Sequence, residues 1–489
     1  MLLQELVDTI AGVSGEGDLR VQVLGISYDS RQVKAGDLFV ALKGEKTDGA
    51  LFIEEALARG AVALASDHKL ASKPGIPILK MTDSRRFLAE ASRALFRNPA
   101  AQLELVAITG TNGKTTTACL VDAIFRQAGL RCCLIGTLGM RIGDRPFPSV
   151  HTTPEASDLA AFLQQARQAG CTHGALEVSS HALMLKRVYG TSFAVGVFSN
   201  LTPEHLDFHH DMESYYEAKR LLFMPEGGNG IKTAVINSDD PYGRRLAAEV
   251  GAPVLRYGFG ADAELRVLAS RTGIDGTDLR LATPRGELAI NARLVGRPNI
   301  YNIMAAAGAA FSLGIDPRSI RQGIESLSGV PGRLQPVQGG QEFSVIVDYA
   351  HSPDALEKLL ETVRQLTHGR MITVFGCGGD RDRKKRPLMG EIAARLSDVV
   401  FATSDNPRSE DPLQILAEIE PGLKRGRAPF QLQPDRREAI RSALALAREG
   451  DVVIIAGKGH EDYQIIGTNV FPFDDRAVAQ ELIHQLMNV

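Results

Sequence analysis

The sequence predicts an α/β protein of mainly parallel sheets arranged in three domains, and three features predict it. Short, nearly continuous apolar runs recur at 103–110 (LELVAITG), 173–180 (HGALEVSS), 194–200 (AVGVFSN), 232–240 (KTAVINSDD), 343–350 (FSVIVDYA), 371–379 (MITVFGCGG), 398–405 (DVVFATSD) and 451–459 (DVVIIAGKG). Each closes on or beside Gly, Ser, Asn or Asp, and helical patterns separate them, as strands buried on both faces of βαβ units require. Glycine makes up 48 of 489 residues, about a tenth against the usual ~7 %, which suits many tight strand-to-helix turns. A chain of this length exceeds one ordinary core.

In chain order, the first 99 residues differ in texture. Short strand patterns in DLRVQVLGISYDSR (18–31) and DLFVAL (37–42) surround one helix, FIEEALARGA (52–61). The loop FRNPAAQ (96–102) precedes the first strongly buried strand, and a Gly- and Pro-rich break, VPGRLQPVQGGQ, spans 330–341. The domains are therefore expected at 1–99, 100–334 and 335–489.

Composition excludes several classes. A net charge of −3 with 44 % apolar and 23 % charged residues is neither a disordered chain nor a polycationic nucleic-acid binder. Five cysteines without a Cys-x-x-Cys pair indicate neither a disulfide framework nor a structural zinc site. The opening MLLQELVDTIAG lacks a basic segment of the secretory type, and no apolar run reaches the ~20 residues of a membrane span. A cytoplasmic protein without nucleic-acid or membrane partners is expected.

The strongest motif is Gly110-Thr111-Asn112-Gly113-Lys114-Thr115-Thr116, between a strand and the helical pattern TTTACLVDAIFRQAG. A Gly-rich turn there aims backbone N–H groups and a helix dipole at one anion. Lys114 reaches β/γ-phosphates and Thr115 offers a hydroxyl to Mg²⁺, although the stretch between the glycines is shorter than in the common loop. Glu177 ends the strand HGALEV, where a carboxylate can serve a cation; alone it reads more readily as a solvated acid. His205 and Lys219 carry less signal alone. Asn299 and Asn302, three apart at a helix start, can face an adenine edge, or Asn299 can simply cap the helix. Four loops rich in Arg, Asp and His follow the last strands: 348–353 (DYAHSP), 376–386 (GCGGDRDRKKR), 405–408 (DNPR) and 457–461 (GKGHE). Converging at one sheet edge, they would suit a ligand bearing carboxylates and an ammonium; the basic run 381–386 alone also reads as a solvated helix start.

The ordered set GTNGKTT, LEVSSHAL, NLTPEHLDFH, EAKRLLF, NSDD, GRPNIYN, DYAHSPDAL, GCGGDRDRKKRP, DNPR and GKGHE resembles the Mur ligase family of peptidoglycan synthesis, from about residue 25 to the end. The resemblance implies a small UDP-binding α/β domain, a central P-loop ATPase domain and a Rossmann-like domain for the incoming amino acid. It implies ATP and UDP-MurNAc-L-Ala-D-Glu as substrates, an acyl phosphate, and its capture by an amine of meso-diaminopimelate. Within the family, Thr115 and Glu177 resemble ligands of one Mg²⁺, His205 a ligand of a second, and Lys219 a lysine carried as its carbamate. ATP contacts are implied for residues 110–116, Asn299, Asn302, Arg333 and Asp348.

For the UDP-linked dipeptide, the resemblance implies Thr152, Thr153, Ser179 and Arg187, with Ser30 and 45–47 on the uridine side. His151 and Leu185 depart from the family's usual Asn and Gln. Arg381, Asp405, Asn406, Pro407, Arg408, Gly457 and Glu461 match amino-acid contacts. Arg408 supplies the fork that an extra carboxylate needs, and Glu461 suits the distal ammonium. The DNPR and GKGHE motifs argue against other amide ligases of this kind. A nucleotide-driven switch would leave the last loops unexplained, and no Asn-Lys-x-Asp guanine motif is present. A monomer is expected.

Overall fold

The computed structural model describes residues 1–44, 47–68, 75–149, 151–273 and 276–487. Three sheets follow one another along the chain, with a separate hairpin, Tyr463–Ile466 and Asn469–Pro472. All eight apolar runs form strands, and most residues in them are buried.

The first sheet has five strands in the spatial order Ser14–Glu16, Ile78–Lys80, Ala63–Ser66, Asp37–Val40 and Gly25–Ser27, parallel except for its first pair. Two expectations fail here. Residues 18–24 form no strand and make only the Leu2–Gln22 bridge, because pairing starts at Gly25 and Leu24 is left exposed. Three α-helices rather than one cover the sheet. Leu3–Thr9 buries Leu3 and Leu6, while the Glu5 carboxylate accepts from the Leu2 amide at 2.8 Å. Ser84–Leu95 is capped by Asp83, which accepts from the Arg86 amide at 2.9 Å, and buries Phe87, Leu88, Ala91 and Ser92 on one stripe.

The second sheet has eleven strands; Glu104–Thr109, one place from its middle, lies between Ser192–Phe198 and His173–Glu177, parallel to both. Antiparallel strands extend both edges, Gly139–Ile142 with Arg145–Phe147 at one and Gly276–Thr283 with Gly286–Ala292 at the other. Alternation along the central strand divides its faces. Val106 and Ile108 join a core with helices Lys114–Gln127 and Arg297–Ser312, whereas Leu105 and Ala107 meet Ala156–Gln168.

The third sheet runs Gln335–Pro336, Ser344–Asp348, Val452–Ala456, Met371–Cys377, Val399–Ser404 and Phe430–Gln433, parallel beyond its first pair. The four unusual loops thus leave the carboxyl ends of four adjacent strands, the edge where open parallel sheets bind ligands. No helix among the described residues is long and apolar enough to cross a membrane.

Candidate active site

The phosphate loop is held by what surrounds it. Gly110 has φ +145°, and a Cβ there would lie 1.9 Å from Ser199 Oγ. Gly113 (φ +87°) starts the helix Lys114–Gln127, and a Cβ would meet Asn302 Oδ1 at 2.2 Å. Only glycine fits either place. The Asn112 amide donates to Asn200 Oδ1 at 2.9 Å and Ser199 Oγ donates to Asn112 O at 2.7 Å, so the neighbouring strand end fixes the turn. Lys114 Nζ folds back to Gly110 O (2.8 Å) and Thr111 O (2.7 Å), and burial pushes its pKa down.

Residues 111–116 line a 310 Å³ cavity with Asn299, Asn302, Arg333 and Asp348, so the second and third sheets both contribute walls. The two asparagines are buried and bonded to each other, Asn302 Nδ2 to Asn299 Oδ1 at 2.9 Å. Asn299 does not cap its helix: its amide donates back to Val295 O at 2.8 Å, and Gly296 occupies the cap. Asp348 accepts the amides of Leu334 (2.7 Å) and Ala350 (2.8 Å); burial nevertheless raises its pKa. Arg333 lies over the Tyr349 ring, 4.8 Å from its centroid.

Glu177 is buried at the adjacent strand end. It accepts from Thr115 Oγ1 at 3.0 Å and from the Thr137 amide and hydroxyl at 2.8 and 3.0 Å. A hydroxyl and a carboxylate side by side form a hard-oxygen donor pair that fits Mg²⁺. Among the described residues no cluster of three or more His, Cys, Asp or Glu holds a metal by side chains alone. His205 sits nearby with positive φ (+56°), and burial pushes its pKa down to about 4. Lys219 is sealed in the core: Nζ donates to Gly110 O at 2.9 Å and lies 4.5 Å from the Tyr215 ring centroid. Burial, reinforced by Lys114, drives its pKa well down. A lowered pKa favours the uncharged amine that carbamate formation requires, and a carbamate there would sit beside the phosphate loop.

The dipeptide candidates form one patch around the same strand end. Thr152 Oγ1 lies 3.2 Å from Thr137 Oγ1. Thr153 donates to Glu177 O (2.8 Å) and accepts from the Ser179 amide (3.1 Å), while Ser179 Oγ caps a short helix through the Ala182 amide (3.1 Å). Arg187 donates to Glu155 (2.8 Å) and to Thr153 O (3.0 Å). His151 is exposed and Leu185 caps the helix Ser180–Met184 through its backbone. Ser30 bonds Glu55 at 2.7 Å within the first sheet's layer and lines neither large cavity. Of 45–47, Glu45 and Lys46 lie outside the described residues.

A second cavity, 1,020 Å³, opens beside the first and is lined by Arg381, Asp405, Asn406, Arg408, Gly457 and Glu461. Arg408 adopts φ +54°, held because its amide donates to Ile465 O (3.0 Å) and its carbonyl accepts from Gly467 (2.7 Å). Arg408 Nη1 donates to Gly379 O at 2.8 Å. A Cβ on Gly457 would approach Asp405 Oδ2 to 2.6 Å. Pro407 lines no part of the cavity; its carbonyl abuts Gly379, where any Cβ would lie 1.8 Å away. Asn406 lines the cavity, but both ends of its amide are bonded to protein.

Sequence reasoning missed three of four shared wall residues. Glu204, His205, Tyr349 and His351 line both cavities, and only His205 was singled out. Burial opposes the Glu204 charge, yet the surrounding His205, His351, Lys114 and Lys219 hold its pKa down. Asp354 was also missed, although it closes the quoted DYAHSPD stretch.

A phosphate loop on a parallel sheet, facing a second parallel sheet whose loops carry charged residues, defines an ATP-using enzyme of the three-domain type. Family models match in order: "Mur ligase family, catalytic domain" at 22–95, "Mur ligase middle domain" at 108–310 and "Mur ligase, glutamate ligase domain" at 332–459. The chain is 46 % identical to UDP-N-acetylmuramoyl-L-alanyl-D-glutamate–2,6-diaminopimelate ligase of Geobacter metallireducens, covering 97 % of each chain. The protein of the same name from Solibacter usitatus is 47 % identical over 95 % of this chain and 94 % of its own. A solved structure of a ligase of that name superposes with a TM-score of 0.70 at 35 % identity over 100 % of both chains. Folylpolyglutamate synthase of Mycobacterium tuberculosis, at 19 % identity and a TM-score of 0.62 over 76 % of this chain and 91 % of its own, shares the fold. The chain belongs to the Mur ligase family.

Proposed function

We propose that this protein is an ATP-dependent amide ligase that adds meso-diaminopimelate to the D-glutamate of UDP-MurNAc-L-Ala-D-Glu, forming ADP and phosphate. The observation that carries this reading is the shared wall of Glu204, His205, Tyr349 and His351 between the two cavities. A phosphorylated acid formed on one side is thereby exposed to an amine on the other.

A carboxylate resists amine attack because its oxide is a poor leaving group. Transfer of the γ-phosphoryl group to the D-Glu carboxylate forms an acyl phosphate and releases ADP. An amine of diaminopimelate then forms the C–N bond, the C–O bond to phosphate breaks, and the amine sheds its proton. Positioning and charge neutralisation supply most of the rate. The loop 110–116 cradles the phosphates, with Lys114 on the transferred group, while Asn299, Asn302, Arg333 and Asp348 enclose the rest of ATP. Thr115 and Glu177 would hold Mg²⁺, with His205 and a carbamate of Lys219 serving a second ion; such ions neutralise phosphate charge.

Thr152, Thr153, Ser179 and Arg187 bound the dipeptide's reacting end, and Ser30 the uridine end. Arg408 meets the distal carboxylate and Glu461 the distal ammonium, with Arg381, Asp405 and Gly457 around them; Asn406 and Pro407 frame the site. We divide the chain at 99/100 and 334/335, and assign it to the cytoplasm, where ATP is abundant. The test supplies UDP-MurNAc-L-Ala-D-Glu and ATP with either meso-diaminopimelate or L-lysine and weighs the product. A diaminopimelate adduct is expected; a lysine adduct alone, or none, overturns the reading.

A further inference from the structure

Lys458, in the loop after strand Val452–Ala456, is fully buried beneath the larger cavity. Its Nζ donates to Glu461 Oε2 at 3.1 Å and Asn406 Oδ1 at 3.2 Å, and stands 5.4 Å from the Tyr463 ring centroid. Asn406 closes the triangle: its Nδ2 donates to the same Glu461 Oε2 at 2.9 Å, and its Oδ1 also accepts the Ile465 amide at 2.9 Å. Two donors therefore converge on one oxygen of Glu461, while Oε1 receives no protein hydrogen bond among the described residues and Glu461 lines the cavity.

A buried ammonium is costly unless paired, so its position needs a reason beyond packing. The amide at 406 explains itself on the same grounds. Only a side chain that both donates and accepts can bridge Lys458 and Glu461 while holding the backbone of the hairpin. Among Asp405, Glu461 and Lys458 alone the formal charges sum to −1. One ammonium matches that, next to the cation of Arg408.

We propose that Lys458 is a positioning residue for the incoming diamino acid, acting through Asn406 and Glu461. It fixes the free Glu461 oxygen toward the distal ammonium and sets its spacing from the carboxylate that Arg408 receives. This rests on the ligase reading above and extends it to a residue that never touches substrate.

The test is steady-state kinetics on the full chain. Lys458→Met should raise KM for meso-diaminopimelate by about tenfold or more while KM for ATP and for the UDP-linked dipeptide stay within about twofold, a split that general unfolding would not produce. Glu461→Gln should raise the same KM. The double variant should then be no worse than Glu461→Gln alone, because a residue acting through Glu461 has nothing left to position. Should Lys458→Met fail to fold, Asn406→Asp replaces the donor to Glu461 with a like charge and should give the same selective rise. An unchanged KM for diaminopimelate in the folded variants, or multiplicative losses in the double variant, overturns the inference. If the unaltered enzyme ligates no diaminopimelate at all, the functional reading fails first, and the two failures are distinguishable.

Discussion

Asp354 Oδ2 lies 3.0 Å from Asn112 Nδ2, so the helix Pro353–Leu366 beside the third sheet is bonded directly to the phosphate loop of the second. The same oxygen accepts from Thr202 Oγ1 and Lys358 Nζ, each at 2.8 Å. One carboxylate thus ties together the two bodies whose substrates must meet.

Asp354→Ala should loosen that tie. Charged hydrogen bonds contribute about 1.5–3 kcal/mol each, enough to shift an interdomain equilibrium. Small-angle scattering without substrates should show a larger radius of gyration than the unaltered protein, with compaction regained when ATP and both other substrates bind. Superimposable curves would contradict this role.

Lys114→Ala and Lys219→Ala should each lower turnover by at least about a hundredfold, the scale of a lost charge-stabilising group, with little change in melting temperature. Lys114 sits on the loop carbonyls, and Lys219 reaches Gly110 O from behind. Near-normal turnover in either variant would remove the phosphate and carbamate roles assigned to them.

Arg408→Ala should raise KM for diaminopimelate by about a hundredfold, equivalent to ~2.7 kcal/mol, and leave KM for ATP nearly unchanged. Equal weakening of both would mean that Arg408 shapes the loop rather than reads the amino acid.

Arg386 is fully buried against Glu410 and Glu418, at 2.9 and 2.7 Å, and also donates to Gly378 O at 3.2 Å. Glu410→Gln should destabilise the fold by about 3 kcal/mol, the lower end for breaking a buried pair, since Glu418 remains. Arg386 hydrogen bonding holds the Glu410 pKa down to about 2 from an ordinary 4.5. This contribution is present above pH 4.5 and lost as pH falls toward 2. Denaturant titration against pH should show the unaltered protein losing stability across that window more steeply than Glu410→Gln.

Burial pushes His460 down to about 4 from 6.5. Between those values the unfolded chain binds a proton that the folded chain refuses, so stability falls as pH drops from 6.5 toward 4. His460→Gln should flatten that slope in thermal melts, and an unchanged slope would refute the assignment.

How much of this was legible in the sequence depends on what each residue answers to. Runs such as 103–110 are buried on both faces, so apolarity alone marked them as strands. Residues 18–24 alternate apolar with polar residues in a strand-like pattern but pair with no strand, and Leu24 points outward. The phosphate loop declared itself because Gly110 to Thr116 form one contiguous motif between a strand and a helix, even though the atoms that exclude a Cβ at its glycines, on Ser199 and Asn302, lie far along the chain. Glu204, Asp354 and Lys458 did not, because their roles come from partners far along the chain. A lone lysine reads as solvated until Asn406 and Glu461 are seen closing over it. Asn406 was legible as part of DNPR, but its amide faces protein rather than open cavity.

The central claim is that the nucleotide at residues 110–116 activates an inert acid for an amine held in the neighbouring cavity. ADP release, followed with each substrate omitted in turn, tests it most directly. Rapid release is predicted only when UDP-MurNAc-L-Ala-D-Glu and meso-diaminopimelate are both present, in step with tripeptide formation. Equal release with neither, or tripeptide formed without ATP, would contradict it.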